Sequence, residues 1–402
     1  MVIIVLENSG FANNFGAGAA VAPYLNQTLV PMGVLIPLYY GTGHASLDNY
    51  VSMVSGQPPN PRTQGDCTSP ATLSPGTLDA DGVAVGGVGC TFPASTLTVA
   101  DQLNTAGFSW KGYMEDMDNS PQTARTTCRG PGAPVNPSAT GTNVTDKYAT
   151  KHNPFVYFSS ITGLTHTDGN SQGSAVTNTN LAYCDAHDVP LDQLATDLAT
   201  PGGLPNYSFI TPNLCNDGHD VCGSNPDALA QSDAFLQLWV PRILANPAFG
   251  PGGDGLLVVT WDEGEGDSTS CCNEQAGPNL DQSAIPPQTP GNNSPPGPGG
   301  GQTGAVAVGP FIAPNSPPST VSYNHYSLLR SVEDAFGLGH LAYAASSGVT
   351  SFGSDIYTAA AAPADVPEAP LVSALLIIGA TPIAILHART RRRRGRRLGA
   401  QG

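Results

Sequence analysis

Four short polar clusters carry residue types that can do chemistry, and each directly follows an apolar run. Glu7 and Asn8 follow VIIVL (2–6). His44 and Ser46, in GTGHASLDNYVSMVSG, follow GVLIPLYY (33–40). Asn213, Asp217, His219 and Asp220, in TPNLCNDGHD, follow YSFIT (207–211), and Asp262 and Glu263, in TWDEGEGD, follow GLLVVT (255–260). Three or more carboxylates cannot converge in a dry cleft without a counter-charge, because their mutual repulsion raises their pKa values. A divalent cation is the usual remedy, and oxygen ligands with one or two imidazoles suit Mg, Mn, Ca or Zn alike. Ser46 has the setting of a nucleophile. It lies between a strand end and LDNYVSMV, which reads as a helix, so its hydroxyl would sit near a positive helix terminus and near the metal. The plainer alternative for Ser46 is a helix N-cap.

These clusters need a scaffold that brings strand ends together. The apolar runs, with FSWKGYM (108–114), PFVYF (154–158) and AVAVGPFI (305–312), read as buried strands. Helical patterns fall at 97–107, at 232–244 with Ser232 and Asp233 as caps, and at 325–337. Continuous apolar strands alternating with helices predict an α/β fold around a mainly parallel central sheet flanked by helices. In such a sheet the carboxyl ends of the strands share one edge, where open α/β folds bind ligands. That edge would collect all four clusters.

The 402-residue chain is long enough for one large domain, expected over 1–358, with loop excursions at 56–95 and 284–303 that carry no obvious chemistry. Seven of the 15 basic residues lie between Arg389 and Arg397, leaving eight against 31 acidic residues elsewhere. Such a surface repels polyanions and argues against nucleic acid as a partner. The eight cysteines lack zinc-ribbon spacing and sit in loop-like sequence, which predicts disulfides outside the cytoplasm. The neighbours Cys271 and Cys272 are expected to bridge to different partners. After a linker (359–370), the apolar stretch from 371 reads as a transmembrane segment (371–388), and the arginine-rich tail (389–402) as its cytoplasmic stop. A protein held at the cell membrane by this single C-terminal span, with its catalytic domain outside, would also need an N-terminal signal. Residues 1–6 do not supply one, so the natural start is expected further upstream. A tail-anchored cytosolic protein is the alternative, and the cysteines speak against it.

Seven motifs occur in order: ENSGFANNFG, HASLDNY, WKGYMEDM, KHNPF, TPNLCNDGHD, VVTWDE and NHYSLLRSVEDAFGL. Together they resemble the phosphoesterase family of bacterial acid phosphatases and phospholipases C, a branch of the alkaline phosphatase superfamily, from residue 2 to about 340. The resemblance implies an alkaline-phosphatase-like fold and metal-assisted hydrolysis of phosphate esters through a phosphoserine. It implies Ser46 as nucleophile and Glu7, Asp262 and Glu263 as metal ligands. Asp217, His219 and His325 would complete the site as second-metal ligands, phosphate binders or leaving-group acid, with Asp217 on the metal. Asn8, His44 and His152 would lie near phosphate. The family's loop usually reads His-Pro-Ser-x-Pro-Asn-Tyr, whereas Ala45 and Asp48 replace both prolines here. A less rigid turn and an added negative charge beside the phosphate are therefore expected. The implied substrate is a small phosphomonoester. A phospholipase C-type phosphodiesterase acting on lipid head groups and a non-catalytic, surface-anchored binding protein are the competing readings.

Overall fold

A computed structural model describes residues 1–119, 125–131, 146–165, 181–223, 227–264, 266–281 and 297–358. The linker, transmembrane segment and basic tail expected over 359–402 lie outside the described residues, as does 284–296 of the second excursion. Among the described residues, no helix is long and apolar enough to cross a membrane.

The strands are β1 (Val2–Leu6), β2 (Val34–Ile36), β3 (Tyr39–Tyr40), β4 (Thr77–Leu78), β5 (Ala84–Val85), β6 (Trp110–Met114), β7 (Asp188–Pro190), β8 (Tyr207–Thr211), β9 (Leu257–Trp261), β10 (Ala305–Val308) and β11 (Tyr323–Asn324). Seven of them form one sheet, in the order β2-β10-β9-β1-β8-β6-β7. The run from β9 to β7 is parallel, and β10 is antiparallel to both of its neighbours. Six of the seven strands therefore point the same way, and one is reversed. The helices are α1 (Ser46–Ser55), α2 (Val99–Ala106), α3 (Ser159–Thr162), α4 (Leu181–His187), α5 (Asp192–Ala199), α6 (Ala228–Leu244) and α7 (His325–Ala335).

The central strand β1 shows why its sequence is apolar throughout. Side chains alternate across a strand, so both faces must be buried. Ile3 and Val5 pack with Leu47, Val51 and Val54 of α1 and Leu328 and Val332 of α7. Val2, Ile4 and Leu6 face the other way, onto Leu236, Val240 and Ile243 of α6. The result is helices on both faces of the sheet.

Several expectations are corrected. PFVYF (154–158) is not a strand: Pro154–Tyr157 is a 3-10 turn, because proline fixes φ and cannot donate to a ladder. The run 33–40 breaks at Pro37 into β2 and β3. Ser232 and Asp233 do not cap α6; Asp227 does, accepting from the Leu229 and Ala230 amides at 3.0 and 3.3 Å. Asp233 instead ties down Tyr24 and Leu25, accepting from their backbone N–H groups at 3.0 and 2.7 Å. Cys271 and Cys272 bond to each other, since the other six cysteines pair as 67–90, 128–184 and 215–222. The described end of the second excursion is knitted in: Gly300 donates to Gly41 O at 2.9 Å and Gly264 donates to Gly300 O at 2.6 Å. It braces the turn before Ser46 against the strand end carrying Glu263.

Candidate active site

Parallel pairing of β1 with β9 sets Leu6 opposite Trp261, so Glu7 and Asp262 leave the sheet side by side. Asn8 bends the chain there with φ of +49°, a left-handed conformation that asparagine tolerates better than most residues. Its N–H donates to Asp262 Oδ1 at 2.9 Å. On the other flank of β1, Glu7 N–H donates to Asp217 O at 2.8 Å. The loop holding Asp217 follows β8 and is anchored by Glu115 at the end of β6. Glu115 accepts from Asn213 N–H and from Asn216 Nδ2, both at 2.9 Å.

Ser46 is the first residue of α1, preceded by Ala45, which offers no side-chain cap. It is 2% exposed, and its hydroxyl donates to Glu7 Oε2 at 3.0 Å. Glu7 Oε1 lies 3.2 Å from His152 Nε2, too poorly aligned for a hydrogen bond, and His152 Nδ1 is 3.0 Å from Asp217 Oδ2. Tyr50 stacks on the His152 ring at 5.3 Å. Serine, glutamate, histidine and aspartate thus form one continuous buried line.

His219 accepts at Nε2 from the Lys151 ammonium at 3.3 Å. An ammonium can only donate, so the His219 proton sits on Nδ1, which donates to Asp220 Oδ1 at 2.8 Å. Glu263 pairs with His44 Nδ1 at 2.6 Å. His325 is placed differently from expectation. Its Nε2 donates to Asp262 O at 2.6 Å, its Nδ1 accepts from Tyr39 OH at 3.1 Å, and burial lowers its pKa to about 4. It is a neutral, fully buried brace for the Asp262 backbone, with no nitrogen free for substrate.

The electrostatics show a surplus of buried carboxyls. Burial alone would raise the Glu7 pKa, but the His152 charge overrides it and holds Glu7 near 2, while His152 is pushed up to about 9. Burial and the charges of Glu7 and Glu263 push Asp262 well above the carboxylate range. Burial raises Asp217 and Glu263 in spite of their histidine partners. Asp262 Oδ2, Glu7 Oε1 and His44 Nε2 are buried without a hydrogen bond. One ligand atom each from Glu7, His152 and Asp217 lies within 4.8 Å of the others. Orphaned oxygens and mutually raised carboxyls are what a divalent cation would satisfy, so the residues fit one.

Asp48 corrects another expectation. It is fully buried, neither oxygen has a hydrogen-bond partner, and burial followed by repulsion from Glu263 and Asp66 pushes its pKa far up. Burial therefore works against the negative charge expected of Asp48. The side chain packs so tightly on Gly43 that a Cβ there would come 2.5 Å from Asp48 Oδ1. The first excursion also proves chemically relevant. Asp66 accepts from Leu47 N–H at 3.2 Å and from Lys151 Nζ at 3.2 Å. Sequence reasoning gave neither Asp66 nor Lys151 a role. Lys151 lies inside the KHNPF motif, whereas Asp66 carries no signal of its own.

Beside this constellation lies a cleft of about 280 Å³ lined by Glu7, Asn8, Asn13, His219, Leu229 and Trp261. A larger surface cavity of about 420 Å³, around Leu78, Leu97 and His340, contains none of the constellation.

The family model described as phosphoesterase matches residues 29–339, and the chain belongs to the phosphoesterase family. It is a hydrolase of phosphoric ester bonds. It is similar to the phosphatidylinositol-3-phosphatase of Mycobacterium tuberculosis, 26% identical over 344 residues that cover 86% of this chain and 79% of that protein. It is also similar to the phosphate-repressible acid phosphatase of Penicillium chrysogenum, 26% identical over 66% of this chain, and to an acid phosphatase of Aspergillus fumigatus, 27% identical over 58% of it. The chain spans only 48% and 39% of those two fungal proteins. Among solved structures, a protein of the alkaline phosphatase superfamily from Vibrio parahaemolyticus matches with TM-score 0.43 at 13% identity, covering 85% of this chain and 67% of its own. That is a distant likeness.

Proposed function

We propose that this phosphoesterase is a divalent-metal-dependent, acid-phosphatase-like phosphomonoesterase that works through a phosphoserine on Ser46. The observation that carries this is the Ser46 hydroxyl at the head of α1, 3.0 Å from Glu7 and on the strand-end edge where the orphaned Asp262 oxygen lies.

Glu7 and Asp262, with Asn8 alongside, would hold the metal. The ion would lower the pKa of the serine hydroxyl and offset charge on the phosphoryl oxygens. The hydrogen bond to Glu7 fixes the direction of the Ser46 proton and hence of its lone pairs. As the Ser46 O–P bond forms, the hydroxyl proton passes along its hydrogen bond to Glu7 Oε2, the ester P–O bond breaks in line, and the departing alkoxide takes a proton from solvent. Water then attacks phosphorus from the side vacated by the alcohol and releases a proton to solvent, the Ser46 O–P bond breaks, and Ser46 takes its proton back from Glu7 Oε2. The first amides of α1 face a negatively charged group favourably throughout. The four disulfides favour an oxidising compartment outside the cytoplasm as the place of work.

Ser46→Ala should lose essentially all turnover of p-nitrophenyl phosphate and should trap no phosphoprotein on acid quench. Full activity in that variant would exclude the mechanism.

A further inference from the structure

We propose that Lys151 holds the oxygens of the phosphoryl group during transfer and that Asp66 keeps its ammonium in position. The inference rests on the Ser46 mechanism for its context, though its test does not.

Lys151 is 5% exposed, which is unusual for a lysine. Two of its three N–H donors go to Asp66 Oδ2 at 3.2 Å and His219 Nε2 at 3.3 Å, leaving the third for an incoming oxygen. The neighbouring cations are committed elsewhere: Lys147 pairs with Asp220 at 3.4 Å, and Arg129 grips both oxygens of Asp146 at 2.9 and 2.8 Å. Lys151 is next in sequence to His152, which touches Glu7, and Glu7 receives the Ser46 hydroxyl. Burial works against its charge, and the charges of Asp66 and Glu7 sustain it.

Asp66 supplies the second line of argument. One of its oxygens takes the Lys151 ammonium and the other takes the N–H of Leu47, the residue after Ser46. A single carboxylate therefore already spans the ammonium and the head of the nucleophile's helix. Two donors that converge on one internal anion are arranged to receive another beside it. A phosphoryl group on Ser46 would lie between them, its oxygens taking the spare lysine donor.

The test uses the full-length, metal-loaded enzyme, with inorganic phosphate as the binding probe. Lys151→Met should raise the inhibition constant for phosphate and the KM for p-nitrophenyl phosphate about tenfold or more, the scale of one charge-assisted hydrogen bond. Its kcat should fall less, and Lys151→Arg should recover part of the loss. Asp66→Asn, at a side chain 27% exposed, should weaken phosphate binding in the same direction without loss of fold. Phosphate inhibition unchanged in folded Lys151→Met overturns the proposal; should that variant not fold, unchanged inhibition in Asp66→Asn overturns it. Phosphate binding to Ser46→Ala protein, measured calorimetrically with and without Lys151→Met, separates this idea from the phosphoserine mechanism.

Discussion

At the scale of single residues, the site is a problem of charge. Glu7 is stabilised by His152, whereas Asp262 has one oxygen on the Asn8 amide and one on nothing. If that orphan belongs to a metal, Asp262→Asn should leave the fold intact, because amide and carboxyl are near-isosteric and the Asn8 contact persists. Metal analysis after dialysis should show a clear drop in bound divalent ion, and undiminished content would contradict the assignment of Asp262. The polar residues after the strands were legible because a parallel sheet delivers all its carboxyl ends to one edge. His325 was misread because a buried histidine is equally suited to bracing a backbone carbonyl, and only the geometry around Asp262 O distinguishes the two. For Asp48, sequence reports a carboxyl group, whereas burial disfavours its charged form.

At the scale of elements, the strands of the sheet core were readable from five-residue apolar runs, and α2 and α7 from their periodicity. Short pieces were not. β7 spans three residues and β4 and β5 two each, too few for any period to show. The first excursion was the main omission, since its role depends on a crosslink and on backbone shape. Asp66 has φ of +51°, and its neighbour Cys67, with φ of +53°, is bonded to Cys90. Closing a loop of that size stabilises by roughly 3 kcal/mol in chain-entropy terms. The Cys67→Ser/Cys90→Ser pair should therefore lower Tm and should also raise KM for p-nitrophenyl phosphate more than it lowers kcat. A variant that loses thermal stability but keeps KM would show that the crosslink serves folding alone.

At the scale of the whole molecule, the sheet has one job visible from end to end: it converts chain separations of more than two hundred residues into contacts of about 3 Å. The same packing buries carboxyls that the proposed mechanism does not use. Burial raises Glu115 and Asp188 to about 7 and Glu274 and Glu333 to about 8. Their folded pKa values exceed the unfolded ones, so the folded state binds more protons between about pH 4.5 and 8. The stability they contribute is full below that window and is lost as pH rises through it. His152, raised to about 9, acts in the same sense, and His325, lowered to about 4, opposes it. Scanning calorimetry should give a higher Tm at pH 5.5 than at pH 8. Glu333→Gln keeps the acceptor for the Leu341 amide and should flatten that slope; an unchanged slope would assign the pH response to other groups.

The bond from Cys67 to Cys90 also bears on where this polypeptide can mature. The sheet and its flanking helices are held by apolar packing and would assemble in a reducing cytosol, but Asp66 would then hang on an unfastened loop. Material recovered from such a host would look native by circular dichroism yet bind phosphate feebly, and exposure to an oxidant should restore its grip without any change in secondary structure.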